Sequence, residues 1–147
     1  MWTLFLVAYF TSSRIGDLVS DYAGRVSPKV LFWRDITFTD TGATIFLQSP
    51  KSSINNKGHS LFLIRNPETG FCPVSFLTNL ASNSPLGPVF RLMSGKLVTI
   101  SLVNKILKIT SQLAGVPEGA GFSAHSFRAA MPTAIALNQA TFSSAEV

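Results

Sequence analysis

The chain alternates between apolar stretches with helical spacing and shorter stretches rich in Ile, Phe and Thr. Residues 2–10 form an apolar run without a helix breaker, which is too short for a membrane span and predicts a buried helix. Hydroxyl residues follow this run, and residues 14–20 predict a second, shorter helix. From Thr99 onward apolar residues recur near the helical period, which predicts a long helix that ends at Gly115 and Pro117.

The middle of the chain has the composition of β-strands. Residues 31–48 are rich in Ile, Phe and Thr, and TDTG within them predicts a hairpin turn between two strands. The polar loop SPKSSINNKGHS separates them from LFLIR, which predicts a third strand, and Pro73 suits the first position of another helix. We therefore predict an α+β fold, mostly α-helical, with a small three-stranded antiparallel sheet at one edge, and a single domain over residues 1–147.

The composition of the chain limits the kinds of molecule that it is expected to bind. Apolar residues make up 46% of the chain and charged residues 13%, which fits a domain whose exposed apolar surface meets a partner. The net charge of +5 favours anionic partners such as nucleic acid. The one cysteine, Cys72, excludes a disulfide within the chain and is expected to be a small buried side chain. Since the first residues also lack the pattern of a signal peptide, we expect an intracellular protein that is not secreted.

Few side chains suit metal or cofactor chemistry. The two histidines and the cysteine lack the spacing of metal ligands, and no glycine-rich phosphate loop is present. We therefore predict no metal and no cofactor. A nucleophilic pair of Cys72 and His125 has no local sequence support.

Four basic residues stand in an informative order. Arg14 lies in TSSRIGDLVS, Lys51 follows the second predicted strand in LQSPKSS, and His125 and Arg128 are three positions apart, which places them on one face of a helix. This set resembles the catalytic domain of the tyrosine recombinase (phage integrase) family. That family has an arginine in a motif like T-G-x-R-I-x-E-L, a lysine in a β-hairpin, and H-x-x-R on a later helix.

The resemblance covers nearly the whole chain and implies a chemistry. The family breaks DNA by attack of a tyrosine hydroxyl on a phosphodiester, leaving a 3′-phosphotyrosyl link. Arg14 and Arg128 would hold the non-bridging oxygens, and His125 would add a donor or a proton relay. Lys51 would protonate the departing 5′ oxygen, and Asp17 would orient and partly neutralise Arg14.

Other basic residues offer alternatives. Lys57 lies in the same loop as Lys51 and is an alternative for its role. Lys57, Lys105 and Lys108 are candidate DNA-binding residues, although Lys105 and Lys108 also fit a merely solvated helix face. His59 lies near the hairpin and is interpreted as a surface residue.

Two features depart from the family pattern. No tyrosine follows Arg128, and Tyr9 and Tyr22 lie in the wrong part of the chain. We therefore expect a catalytic domain truncated before its nucleophile and inactive by itself. Pro132 is expected to kink or restart the helix that carries H-x-x-R.

The functional prediction is a fragment of a site-specific DNA recombinase or integrase, and HSFR favours one from a eukaryotic mobile element. The alternatives are a non-catalytic DNA-binding module derived from such an enzyme and a protein-interaction domain. The expected partners are double-stranded DNA and other recombinase protomers, with no membrane. The expected location is a DNA-containing compartment, the nucleus if the source is eukaryotic.

Overall fold

The computed structural model describes residues 1–21, 30–48, 58–66, 68, 70–83, 86–117 and 123–127. The helices and strands in chain order are α1 (Trp2–Thr11), β1 (Ile36–Phe38), β2 (Gly42–Leu47), β3 (His59–Ile64), α2 (Pro73–Asn83) and α3 (Ile100–Leu113). The strands form one antiparallel sheet in the order β1-β2-β3. The predicted α+β fold with a small three-stranded sheet is confirmed.

Helix α1 carries apolar residues on nearly every side and lies in the core for that reason. Leu4, Val7 and Ala8 are fully buried, which confirms the helix predicted over residues 2–10. The helix ends at Ser12, whose φ of 52° is left-handed. The Thr11 hydroxyl lies 2.6 Å from the Val7 carbonyl oxygen, to which it donates. This capped end leads directly into Arg14.

The hairpin between β1 and β2 is closed by two backbone hydrogen bonds. The amide of Thr39 donates to the carbonyl of Gly42 at 2.9 Å, and the amide of Gly42 donates back at 3.3 Å. The turn predicted at TDTG is therefore confirmed. A side chain at residue 42 would overlap the carbonyl of Leu63, so this position requires glycine.

The sheet packs one face against the helices and leaves the other face largely open. Ile45 and Leu63 are buried on the inner face, whereas Phe62 and Ile64 are 73% and 81% exposed on the outer face. A single hydrophobic cluster joins the sheet to the helices, and its members include Leu4, Val7, Ile15, Leu18, Ile45, Leu63, Val74, Leu77 and Val103.

Helices α2 and α3 begin and end as their residues predict. Pro73 is the first residue of α2, and Cys72 before it is buried as expected. At the start of α3 the Thr99 hydroxyl accepts from the Leu102 amide at 3.2 Å. After α3 the chain turns at Gly115, whose φ is 70°.

The helix predicted over residues 14–20 is wrong. The chain forms only one 3-10 turn (Ile15–Asp17) and then extends. Ser20 forms a parallel bridge with Thr99: the Ser20 amide donates to the Val98 carbonyl at 3.3 Å, and the Ile100 amide donates to the Ser20 carbonyl at 3.2 Å. The amides of Leu18 and Val19 still bond locally to Ile15, but at Ser20 the bonds to a distant segment replace those that a longer helix would need.

Candidate nucleic-acid interface

Arg14 stands at the centre of the candidate site. It lies two residues after the left-handed Ser12, and its own backbone is extended, at φ −70° and ψ 132°. The amide of Asp17 donates to the carbonyl of Arg14 at 2.9 Å. We call residues 12–17 the arginine turn. The Nε atom of Arg14 is buried and has no hydrogen-bond partner. Among the described residues, the same is true of the indole nitrogen of Trp33. A buried donor without an acceptor is costly, so this guanidinium is suited to an anionic partner.

Two cavities lie on either side of Arg14. The helix-side cavity has a volume of about 170 Å³ and is lined by Arg14, Ile15, Gly16, Asp17, Ile100, Ala124 and His125. The hairpin-side cavity has a volume of about 150 Å³ and is lined by Thr11, Ser12, Ser13, Arg14, Asp17, Leu47, His59 and Leu61. Arg14 and Asp17 border both cavities, whereas each histidine borders one.

His125 lies in the first turn of a helical segment that Ser123 caps. The Ser123 hydroxyl accepts from the His125 amide at 3.2 Å, and the Ser126 hydroxyl accepts from the Ser123 amide at 3.1 Å. This reciprocal pair is a capping box in which serine replaces the usual glutamate. The start of a helix beside His125 agrees with the sequence prediction as far as Phe127, where the described segment ends.

Contacts with α1 and α3 anchor the residues on either side of His125, which is itself exposed. The ring of Phe127 stacks on Phe5 of α1 with centroids 5.0 Å apart and planes 7° apart. The side-chain oxygen of Asn104 in α3 accepts from the amide of Ala124 at 3.0 Å. Through these contacts the fold brings His125 and Arg14 to one cavity from opposite ends of the chain.

Asp17 lies next to Arg14 but forms no ion pair with it. Its side chain is only 7% exposed and borders both cavities. The ion pair found in the described part is the one between Arg34 and Asp35, at 4.0 Å. Asp17 therefore lies close enough to Arg14 for a supporting role, but it does not form the direct ion pair that the sequence suggested.

Several predicted site residues lie outside the described part of the chain: Lys51, Lys57, Arg128 and Pro132. The described ends of β2 and β3 nevertheless locate the hairpin loop. Leu47 and His59 pair across these strands and both line the hairpin-side cavity. The described residues Leu47 and His59 thus share a cavity with Arg14, and the roles of Lys51 and Lys57 stay predictions.

Lys105 and Lys108 extend from α3, away from its buried residue Val103. Both are exposed. This agrees with a solvated helix face, and contact with DNA stays a prediction.

The interpretation of His59 as a surface residue left out its place at a cavity. It is half-buried and shares a cavity with Arg14 instead of standing on the open surface. The alternation of strand β3 could have indicated this, because residues 59, 61 and 63 face the same side. The signal was ambiguous because residues 62 and 64 on the other side are also apolar.

Cys72 lies at the start of α2 and does not line either cavity. Burial raises the pKa of its thiol, but hydrogen bonds from the Ser75 side chain and from the amides of Ser75, Asn66 and Val74 bring the pKa below its usual value.

Within the described residues, no group of three or more His, Cys, Asp or Glu side chains is arranged to hold a metal ion. No helix in this part of the chain has the length and apolar character needed to cross a membrane.

The fold is similar to that of part of a site-specific recombinase. The chain is similar to the XerH site-specific recombinase in a pre-cleavage complex with difH substrate, with a TM-score of 0.59 and 17% identity over 92% of this chain and 35% of that one. A post-cleavage complex of XerH with palindromic difH gives a TM-score of 0.58 and 16% identity over 93% of this chain and 34% of that one. This chain thus spans about a third of the recombinase chains it resembles. No protein-family model and no curated protein sequence matches it.

Proposed function

We propose that this chain is part of a site-specific DNA recombinase and binds the backbone of double-stranded DNA at the helix-side cavity. The observation that carries the proposal is the meeting of Arg14 and His125 at this cavity, with Nε of Arg14 lacking a partner. The similarity in fold to a recombinase bound to its DNA substrate supports the same class.

The two side chains suit the oxygens of a phosphodiester. A guanidinium stays charged at every relevant pH and forms paired, charge-assisted hydrogen bonds with a phosphate. An imidazole on the opposite wall adds a donor whose charge follows the pH. In the proposed reaction Arg128 adds a second guanidinium and Lys51 or Lys57 protonates the leaving 5′ oxygen.

The nucleophile is proposed to come from outside these residues. The chain has two tyrosines, and neither follows His125. Tyr9 lines a different, mostly apolar cavity of about 400 Å³ with Leu107, Val116 and Phe127, and Tyr22 lies outside the described part. We therefore expect this chain alone to bind DNA without forming a covalent link to it. The wider role is DNA recombination or integration by a mobile element, in a DNA-containing compartment of the cell.

A protein-interaction domain is the second candidate, and the outer face of the sheet favours it. Phe46, Phe62 and Ile64 expose 44%, 73% and 81% of their surfaces on that face. Such a cluster fits a contact with another protein, including another recombinase protomer.

A titration of DNA affinity against salt separates the two candidates. Binding through phosphates weakens steeply as salt rises, because counterions are released from the duplex. Arg14→Gln is expected to lower the affinity by about tenfold or more, since it removes a charged hydrogen bond to phosphate. The matched control is Arg34→Gln, which removes the same charge from an exposed position paired with Asp35. Salt-independent binding, or equal losses in the two variants, would contradict the proposal.

A further inference from the structure

The hairpin-side cavity has the walls of an anion site. Hydroxyl groups of the turn that ends α1 form one side, from Thr11, Ser12 and Ser13, and His59 and Arg14 bring basic groups. Its volume of about 150 Å³ is close to that of the helix-side cavity. Arg14 borders both cavities, so the two cavities are neighbours.

The register of the sheet fixes His59 at this cavity. His59 pairs with Leu47, and the alternation of β3 directs residues 59, 61 and 63 to the inner side of the sheet. Gly58 secures this register, because a side chain there would overlap the Phe46 ring and lie 2.7 Å from the Leu47 carbonyl oxygen. The entry into β3 therefore fixes the backbone position of His59 beside the cavity.

The imidazole is available for a ligand. His59 is half-buried, and its ring makes no hydrogen bond with any described residue. The charged groups that line the cavity with it are Arg14 and Asp17. A protonated imidazole facing Asp17 offsets the carboxylate charge, which would otherwise oppose an anion.

We propose that the hairpin-side cavity is a second phosphate subsite, next to the one between Arg14 and His125, and that His59 is its titratable donor. The inference rests on the proposed DNA binding. Phosphate favours the protonated form of histidine, so binding takes up a proton there. DNA affinity is accordingly expected to be higher at acid pH, where an imidazole is protonated, than at alkaline pH.

The test exploits the small number of histidines, His59 and His125, in the chain. The affinity of the full chain for a labelled duplex is measured at fixed salt between about pH 5.5 and about pH 8. The variants are His59→Gln, His59→Lys and, as the matched control for loss of the other histidine, His125→Gln. Thermal unfolding of each variant verifies the fold.

His59→Gln is expected to lower the affinity by roughly three- to tenfold at the acid end and to have little effect at the alkaline end. His59→Lys keeps its charge throughout, so its affinity at the alkaline end should exceed that of the wild type. The DNA affinity of His125→Gln should still rise as the pH is lowered, because His59 is retained.

Two results overturn the inference, and they are distinguishable. If the wild type binds DNA and both His59 variants follow its pH curve, the second subsite is wrong and the proposed function stands. If the wild type fails to bind DNA at any pH or salt, the proposed function fails and the subsite fails with it.

Discussion

Two helices of this protein end with a residue in the left-handed conformation, and they do so by different means. Helix α3 ends before Gly115, at φ 70°, where a side chain would meet nothing within 4 Å. Helix α1 ends before Ser12, at φ 52°, where the family motif that this stretch resembles has glycine. Glycine adopts this backbone freely, whereas serine pays a steric penalty.

The difference shows where the fold tolerates strain. The end of α3 is an ordinary cap, but the end of α1 places hydroxyl groups in a cavity beside Arg14. Backbone strain of this kind persists when the surroundings over-determine it, and it often lies at functional sites. The arginine turn meets that condition, since the amides of Ser12 and Ser13 donate to carbonyls of α1 and Ser20, just after the turn, is bonded to Val98 and Ile100.

The largest effect is expected from crowding the arginine turn. A Cβ at Gly16 would already lie 3.0 Å from the Ile100 side chain. Gly16→Val should therefore reduce the free energy of unfolding by about 2 kcal/mol and weaken DNA binding, because the Ile100 side chain or the turn itself must shift to make room. Urea unfolding and duplex binding measure the two effects. Gly70→Val is the matched control, since a side chain there meets nothing within 4 Å; similar losses in both variants would contradict this account of the turn.

A smaller effect is expected at the end of α3. Gly115→Val should cost about 1 to 2 kcal/mol of stability, because a β-branched residue is forced into the left-handed region with no gain in packing. DNA affinity should stay at the wild-type value in conditions where the variant is folded. A loss of binding at constant stability would mean that the two helix ends are not functionally different.

The smallest effect is expected from relieving the strain at Ser12. Ser12→Gly should raise the urea midpoint, by the equivalent of about 0.5 kcal/mol, because glycine adopts the left-handed backbone without a steric penalty. Ser12→Ala is the control that removes the hydroxyl and keeps the Cβ, and it should not be stabilised. If Ser12→Gly is destabilised instead, the hydroxyl contributes more than the strain costs.

The sequence predicted those elements whose patterns are local. Helix α1, the hairpin at residues 39–42 and the start of α3 at Thr99 follow from apolar periodicity, turn residues and a cap. The helix predicted after Arg14 stops early because Ser20 bonds to Val98 and Ile100, far along the chain. Local propensity carries no information about such partners.

For the candidate site, the sequence named residues but not their geometry. The family motif singled out Arg14 and His125, which line one cavity. It also suggested an Arg14–Asp17 pairing that the structure does not contain, because the short turn leaves the two side chains side by side without an ion pair. It gave no indication of His59, whose position depends on the register between β2 and β3.

The central claim is that Arg14 and His125 hold the same DNA phosphate, and a double-mutant cycle tests it most directly. The affinities of the wild type, Arg14→Gln, His125→Gln and the double variant are compared for one duplex at fixed salt and at a pH where histidine is charged. Side chains that share a partner are coupled, so the double variant should lose less than the sum of the single losses, by about 1 kcal/mol. Two strictly additive losses, or no loss in either single variant, would contradict the claim.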